Sequence, residues 1–216
     1  MIDTESEQVS ITEQIEQLKN QALACELCDL CKTRTNVVFG EGNPETPLVF
    51  IGEGPGANED ATGRPFVGRA GQLLDAAMAE NSITRKHIYI CNVVKCRACI
   101  IEDGRIRNRA PSAIESSTCF PWLERQLAII KPLIIVCLGA VAANAIIHRD
   151  FRMTQERGQW FETKYCRHVT AALHPAYILR QNGEPFAAAR KSLVDDIAAA
   201  RKRVILAKKE LNPSLF

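Results

Sequence analysis

The sequence predicts an α/β fold in which helices cover both faces of a parallel β-sheet. Three short apolar runs are typical of buried strands, and they read PLVFIGE (47–53), HIYICNVV (87–94) and PLIIVCLG (132–139). Stretches with helical spacing of apolar residues lie between and after these runs, so strands and helices alternate along the chain. Strands that are apolar throughout indicate a parallel sheet, because such sheets are buried on both faces.

The other elements are predicted from apolar periodicity and capping residues. An N-terminal helix over 8–24 carries apolar residues on one face. Ser112 and Glu115 form a capping box for a helix over about 113–130. Further helices are expected over 70–80, 140–147 and 186–209, and QWFETKY and RHVTAALH are expected to give one or two weaker strands. We therefore expect one domain over 1–216, with the N-terminal helix and a Cys-rich loop in 1–45 and the core in 46–216.

Length and composition fit a globular chain outside the membrane. The chain has 216 residues, of which 46% are hydrophobic, and it lacks the run of about eighteen apolar residues that would predict a transmembrane helix. The opening MIDTESEQVS is acidic and polar, unlike a secretory signal. We therefore expect a cytoplasmic monomer. The formal net charge of +2 does not by itself indicate nucleic-acid binding.

Two segments concentrate the basic residues. Arg97, Arg105, Arg107 and Arg109 crowd a predicted loop beside cysteines, where contact with phosphates is expected. The second segment, 201–209, falls in the predicted final helix, and a solvent-exposed helix face explains it better.

The nine cysteines indicate metal or cluster ligation, because disulfides are disfavoured in the cytosol. Cys25 and Cys28 are separated by two residues, which lets both sulfurs reach one centre. By spacing alone, Cys96 and Cys99 would complete a set like that of a zinc ribbon. Cys119 is a competing ligand, and spacing leaves the choice open.

A glycine-rich motif follows the first predicted strand, at the edge where parallel sheets place their binding sites. GEGPG (52–56), with Glu59 and Asp60 close behind, would let backbone N–H groups face a ligand, although a plain turn is the alternative. Phe66 stands between glycines and a proline. It is a candidate stacking platform for a planar ring, with core packing as the alternative.

Two further polar residues belong to the same predicted edge. Asn92 lies inside an apolar strand, where its amide can offer a donor and an acceptor to one nucleobase edge. His174 opens the loop after the last predicted strand, and Arg180 follows six residues later. A structural role is the alternative for each.

Taken together, these residues resemble the family 4 uracil-DNA glycosylases, which carry a 4Fe–4S cluster. The matching segments are KTRTNVVFGEGNP, IGEGPGANEDATGRPFVGRAGQLL, CNVVKCR, CFPWL, LIIVCLGAVAA and HPAYILR. The resemblance implies a three-layer α/β/α sandwich with a central four-stranded parallel sheet. It also implies an enzyme that flips uracil out of DNA and hydrolyses its N-glycosidic bond, leaving an abasic site.

The resemblance assigns roles to individual residues. The implied cluster ligands are Cys25, Cys28, Cys96 and Cys119. The implied uracil pocket consists of Glu53, Gly54, Asp60, Phe66 and Asn92, with Phe66 stacking on the base and Asn92 reading its edge. Glu53 would stabilise positive charge on the sugar, and His174 would stabilise the departing uracil. Contacts with the DNA would come from Arg107, Arg109 and Arg180.

The chain departs from the family pattern after the third implied ligand. KCRACIIEDGRIRNRAP (95–111) is several residues longer than the usual segment, and Cys99 stands where a proline is common. A related branch has a histidine in this loop that bonds to the product sugar, but this chain has no histidine between Cys96 and Cys119. Ordinary hydrolysis by water is therefore expected. The alternatives are a non-catalytic Fe–S DNA-binding protein and a protein that traps uracil-DNA.

Overall fold

A computed structural model describes residues 9–212 of the chain. The opening residues 1–8, on which most of the argument against a secretory signal rests, lie outside the described residues, as do 213–216. The strands are β1 (Glu41–Gly42), β2 (Leu48–Gly52), β3 (Tyr89–Asn92), β4 (Cys99–Glu102), β5 (Arg105–Asn108), β6 (Ile134–Leu138), β7 (Phe161–Thr163) and β8 (Cys166–Ala172). The α-helices are α1 (Ile11–Leu23), α2 (Ala57–Thr62), α3 (Arg69–Glu80), α4 (Ala113–Ile130), α5 (Ala140–Ile146), α6 (Met153–Glu156), α7 (Pro175–Ile178) and α8 (Gly183–Leu211).

The main sheet has six strands in the order β1-β3-β2-β6-β8-β7. Its four inner strands are parallel to one another, which confirms the expected central parallel sheet. The short strands β1 and β7 add to the two edges in antiparallel orientation. The sheet is therefore mixed, and its two edge strands have only two and three residues.

Helices cover both faces of the sheet, as the apolar strands predict. Along β2, Val49 and Ile51 point into a core shared with α1, α4 and α5. Leu48 and Phe50 alternate with them and point into a core shared with α3 and α8. The fold is thus the expected three-layer α/β/α sandwich. Among residues 9–212, no helix is long and apolar enough to cross a membrane.

Capping residues set two of the predicted helix starts. Ser10 caps α1, so the helix begins at Ile11 and not at the predicted residue 8. The predicted capping box before α4 is confirmed, since the Ser112 hydroxyl accepts from Glu115 N and the Glu115 carboxylate accepts from Ser112 N. The last helix extends three residues beyond the predicted start and two beyond the predicted end.

The arginine-rich segment that was predicted as a loop contains a β-hairpin. Within the described range 9–212, strands β4 and β5 pair only with each other, and they form an exposed two-stranded ribbon, here called the 99–108 hairpin. Asp103 and Gly104 form its turn with φ values of 50° and 72°. Two consecutive positive φ angles at Asp-Gly are typical of the type I′ turn that joins hairpin strands. This dipeptide was the sequence signal for the hairpin.

Candidate active site

The parallel strands end around a cleft of about 530 Å³. We call it the strand-end cleft, and it is lined by residues from the turn after β2, the end of β3 and the loop after β8. Five of the six residues proposed for catalysis and base binding line it, namely Glu53, Gly54, Phe66, Asn92 and His174. The sixth, Asp60, is not among the lining residues. The fold thus brings together side chains that lie up to 121 positions apart in sequence.

Asn92 ends β3 and is only 2% exposed. Its Oδ1 atom is buried and has no hydrogen-bond partner among the described residues. A buried acceptor without a donor is unfavourable, so this atom is a candidate to bind a donor from a ligand. Gly52 on the neighbouring strand makes room for it, because a Cβ there would lie 2.5 Å from Asn92 Oδ1 and 2.5 Å from Phe66 Cζ.

Phe66 has a backbone conformation that residues other than glycine rarely adopt. Its φ is 54°, in the left-handed region. The guanidinium of Arg85 donates to the carbonyl oxygens of Pro65, at 2.9 Å, and of Phe66. Gly71 allows α3 to approach, since a Cβ there would clash with the Phe66 carbonyl at 1.6 Å. These contacts fix the ring of Phe66 at the cleft wall, 6.0 Å from the His174 ring between centroids.

His174 is positioned by the backbone that follows it. Its Nδ1 accepts a hydrogen bond from Ala176 N at 3.1 Å, which caps the short helix α7. Gly139 after β6 makes room, because a Cβ there would lie 2.9 Å from His174 Cβ. Burial, and then the positive charge of Arg180, lowers the pKa of His174 to about 4. The imidazole is therefore neutral at pH 7, and with Nδ1 accepting, its proton is on Nε2.

Glu53 is a partly buried carboxylate in the turn after β2. Burial raises its pKa above the ordinary value, and the nearby positive charge of Arg180 acts in the opposite direction. Arg180 itself is exposed, with its guanidinium 6.0 Å from the centroid of the Tyr177 ring. The cleft thus combines one neutral imidazole and one carboxylate, with an exposed arginine at the rim.

The structure places Glu59 at the cleft in the position that sequence analysis gave to Asp60. The Asp60 carboxylate is buried and accepts hydrogen bonds from Thr35 N at 2.9 Å and Asn36 N at 3.3 Å, away from the cleft. Glu59 lines the cleft, and its carboxylate accepts from the N–H groups of Gly56, Val67 and Gly68. An acidic residue at the third position of a helix after a glycine N-cap was the signal for this role.

The three arginines proposed for DNA contact occupy different settings. Arg109 lines the cleft but forms a two-pronged ion pair with Glu115 at 2.6 and 2.7 Å. This pair lowers the pKa of Glu115 to about 2. Arg107 is exposed on the 99–108 hairpin, and its nearest carboxylate, Glu102, is 3.8 Å away. Arg107 and Arg180 therefore remain available to a ligand, whereas Arg109 is engaged within the protein.

The four cysteines proposed as cluster ligands come together at a second place, which we call the cysteine site. Cys25, Cys28, Cys96 and Cys119 line one small pocket together with Arg34 and Trp122. Cys99 does not line it. Instead Cys99 begins β4 and pairs with Asn108 across the hairpin. Three-dimensional placement therefore favours Cys119 as the fourth thiol, where spacing left Cys99 and Cys119 as alternatives.

The chemistry of the cysteine site fits an iron–sulfur cluster. Several N–H groups point at its sulfurs: Arg34 at Cys96 Sγ (3.4 Å), Trp122 at Cys25 Sγ (3.4 Å) and Lys95 N at Cys119 Sγ (3.2 Å). Such hydrogen bonds are characteristic of cluster thiolates. Within residues 9–212, no three His, Cys, Asp or Glu side chains are placed to hold a single ion. Four cysteine thiols are the ligand set of a 4Fe–4S cluster, so the residues present fit the group that the sequence resemblance implies.

Lys95 connects the two sites and was not found by sequence analysis. It is only 2% exposed, and its Nζ donates to Asn92 O at 2.8 Å and to Gln126 Oε1 at 2.5 Å. Its backbone N–H donates to Cys119 Sγ at 3.2 Å. Burial lowers the pKa of Lys95. Lys95 therefore links the residue that is expected to read the base, through its side chain, to a residue expected to hold the cluster, through its backbone N–H.

Comparisons with known proteins agree with this geometry. The family described as the uracil DNA glycosylase superfamily matches residues 39–198. A type-4 uracil-DNA glycosylase of Thermotoga maritima is 40% identical over 190 residues, which cover 88% of this chain and 94% of that protein. The Archaeoglobus fulgidus type-4 enzyme is 39% identical, covering 77% and 84%. That of Sulfurisphaera tokodaii is 37% identical, covering 90% and 87%. The chain belongs to the uracil-DNA glycosylase superfamily and, within it, to the type-4 group.

Proposed function

We propose that this protein removes uracil from DNA by hydrolysing the N-glycosidic bond, with the base held in the strand-end cleft. The observation that carries the proposal is the buried Oδ1 of Asn92, which has no hydrogen-bond partner in the described part of the chain and lies beside the ring of Phe66. The names of the type-4 relatives support the same activity. A base inside a duplex is out of reach of a cleft, so the nucleotide must be extruded before reaction.

Recognition of uracil follows from the hydrogen-bond pattern at Asn92. Uracil offers an N3–H donor, which supplies the partner that Asn92 Oδ1 lacks, and an O4 acceptor that can face Nδ2. Cytosine presents an acceptor at N3 and a donor at the neighbouring position. It would leave both groups of the amide unpaired, at a cost of about 1–3 kcal/mol for each buried group. Phe66 supplies a face on which the ring can stack.

Bond cleavage requires stabilisation of opposite charges on the sugar and on the base. As the bond between C1′ and N1 breaks, the electron pair leaves with uracil and positive charge develops on the deoxyribose. We assign Glu53 to stabilise that cation. We assign the Nε2–H of neutral His174 to donate to a uracil oxygen, where the negative charge spreads. Water adds to C1′, and the proton that it loses passes through solvent to the uracil anion, which yields an abasic site and free uracil.

We propose that Cys25, Cys28, Cys96 and Cys119 hold a 4Fe–4S cluster. When bound, the cluster would join the N-terminal loop, the segment after β3 and helix α4, and so add to the folding free energy. The N–H groups directed at the sulfurs support this assignment. No step of the glycosidic reaction depends on it in the scheme above.

The wider assignments are also proposals. Residues 1–216 would form one uracil-DNA glycosylase domain, acting as a monomer in the cytoplasm on uracil-containing DNA. Arg107 and Arg180 would contact phosphates, because both are exposed. Arg109 is better assigned to the support of the cleft wall, since its guanidinium is paired with Glu115. Asp60 is better assigned to holding the 35–36 loop, and Glu59 takes its place at the cleft.

The experiment is incubation with a uracil-containing oligonucleotide, followed by separate measurement of free uracil and of strand breaks. We expect stoichiometric release of uracil and a break only after alkali treatment. An oligonucleotide with thymine in place of uracil is the control and should remain intact. Strand nicking without alkali, a protein–DNA adduct that survives denaturation, or binding without release would each contradict monofunctional hydrolysis.

A further inference from the structure

The 99–108 hairpin carries an exposed pair of large apolar side chains. Ile101 and Ile106 are directly opposite each other in the register of β4 and β5. They are 68% and 57% exposed, respectively. A cross-strand isoleucine pair that faces solvent buries no core, so it contributes little to the stability of this chain alone. Such a pair is the kind of feature that marks a contact surface for a partner.

The strand register places this pair on the side of the hairpin that faces the cleft. Successive side chains of a strand alternate between faces, so Cys99, Ile101, Ile106 and Asn108 share one face. Asn108 lines the strand-end cleft, and its Nδ2 would lie 3.6 Å from a Cβ built on Gly56. The apolar pair therefore continues the cleft wall outward, beyond its rim.

The other face of the same hairpin is basic. Arg105 and Arg107 alternate with the apolar pair and share a face with Ile100 and Glu102. Both arginines are exposed, and among residues 9–212 Arg105 takes part in no ion pair within 4.0 Å. The hairpin thus presents an apolar side toward the cleft and a cationic side away from it. Phosphates attract the cationic side, and unstacked bases offer apolar surface to the other.

We propose that Ile101 and Ile106 pack against the base pairs that flank the extruded nucleotide and act as a wedge, while Arg105 and Arg107 bind the adjacent phosphates. This inference rests on the proposed function, because it names how the same cleft receives its substrate. Extrusion removes one base from the stack and exposes apolar faces of its neighbours. Isoleucine and other apolar side chains fill such gaps in proteins that kink DNA. The two-residue turn at Asp103 and Gly104 ends the ribbon, so Ile101 and Ile106 lie close to its tip.

The test compares duplex with single-stranded substrate in single-turnover excision. The variant is Ile101→Ser/Ile106→Ser, and the matched control is Ile205→Ser/Leu206→Ser, a pair on α8 that is 46% and 41% exposed. We expect the hairpin variant to excise uracil opposite adenine at least about 10-fold more slowly, because a wedge lowers the cost of unstacking. Uracil opposite guanine should lose less, and single-stranded uracil less than about 2-fold, because those bases are easier to extrude.

A second readout does not depend on excision. A 2-aminopurine next to the uracil should brighten when the wild-type protein or the α8 control unstacks it, and the hairpin variant should brighten it less. Equal losses on duplex and single-stranded DNA, an unchanged rate opposite adenine, or no brightening with the wild type would overturn the proposal. So would a wild-type dimer that the hairpin variant converts to a monomer without changing excision, since a second copy would then cover this face. Failure of the proposed function is a different result, namely no uracil released by the wild type from any substrate.

Discussion

The strand-end cleft and the cysteine site are built in opposite ways. Glu53, Asn92 and His174 sit at or next to the ends of β2, β3 and β8, so the hydrogen-bonded sheet holds them in place before any ligand binds. The four thiols instead lie outside the sheet, with Cys25, Cys28 and Cys96 on loops and Cys119 on α4. The cleft is preorganised by the fold, whereas we expect the cysteine site to need its bound group to keep its segments together.

This difference predicts two separate kinds of failure. Changes in the cleft should abolish chemistry and leave the protein folded, since its polar groups contribute little to the core. Changes at the cysteine site should lower the stability of the fold. They should alter the rate of excision only indirectly, through the hydrogen bonds of Lys95 to Cys119 and Asn92. The predictions below test that separation, from the largest expected effect to the smallest.

Removal of the His174 imidazole should have the largest effect on excision. His174→Ala is expected to lower the single-turnover rate by about 10²–10³-fold, the usual cost of losing one donor to a developing negative charge. His174→Asn is the control, because asparagine can still cap α7 at the position where Nδ1 now accepts from Ala176 N. It should melt close to the wild type and remain inactive. Recovery of excision in His174→Asn would mean that the residue acts only through the cap.

Loss of one thiol should mainly affect iron content and stability. Cys119→Ser is expected to lose iron and to lower the melting temperature by about 5–10 °C, equivalent to about 2–3 kcal/mol for a domain of this size. Cys99→Ser should keep both, because Cys99 lies on the hairpin and not at the cysteine site. Iron analysis and thermal melts of the two variants decide the matter. Iron loss in Cys99→Ser with retention in Cys119→Ser would show that Cys99 is the ligand.

A methyl group on Gly52 should damage the cleft without damaging the fold. Its Cβ would lie 2.5 Å from both Asn92 Oδ1 and Phe66 Cζ, so both side chains must shift. We expect Gly52→Ala to lower excision by roughly 10-fold, equal to about 1.4 kcal/mol of transition-state stabilisation. Val49→Ala on the same strand is the matched control, and it should lower the melting temperature while excision stays near wild type. The proposed separation between cleft and core would be contradicted if Gly52→Ala lowered only the melting temperature and Val49→Ala lowered only the excision rate.

The pH dependence should be the smallest effect and should follow Glu53. Burial raises the pKa of Glu53 and lowers that of His174 to about 4, so on acidification Glu53 gains its proton before His174 does. Excision should therefore fall several-fold on an acid limb above pH 4.5, and Glu53→Gln should be slow without that limb. Rate profiles of the two proteins provide the check. A limb near pH 6.5 that persists in Glu53→Gln would mean that His174 titrates as an ordinary histidine.

Acid should also weaken the fold through His174. The neutral imidazole is favoured in the folded protein, whereas the unfolded chain takes up a proton near pH 6.5. The free energy of unfolding should therefore decrease as the pH falls from about 6.5 toward 4. Melting of His174→Asn over this range should lack that part of the decrease.

The sequence was sufficient to predict the parallel sheet, because β2, β3 and β6 lie in largely apolar runs, which are typical of a sheet covered on both faces. The edge strand β7 falls within the weakly predicted segment QWFETKY, but the other edge could not be predicted in this way. Strand β1 has two residues and no apolar pattern, and it forms because Glu41 and Gly42 meet β3 in the folded chain. The 99–108 hairpin could have been predicted from Asp103-Gly104, but its arginines directed attention to phosphate contact instead.

The site residues could be predicted where a motif ends a strand. They could be predicted less well where contacts with distant residues determine which way a side chain points. Glu59 and Asp60 are adjacent carboxylates, and only the helical turn of α2 determines which of them faces the cleft. Cys99 fits the ligand spacing better than Cys119, yet strand pairing carries it away. Lys95 gave no signal, because a lysine is almost never buried unless it is paired, and its partners lie 3 and 31 positions away.

Discrimination between uracil and cytosine tests the central claim most directly, since we propose that Asn92 Oδ1 accepts a hydrogen bond from the N3–H of uracil. The measurement is single-turnover excision from matched U and C oligonucleotides by the wild type and by Asn92→Ala. We predict that the wild type releases uracil and leaves cytosine intact, and that Asn92→Ala excises uracil at least ~10-fold more slowly while binding undamaged DNA as before. Unchanged excision of uracil by Asn92→Ala would contradict the account.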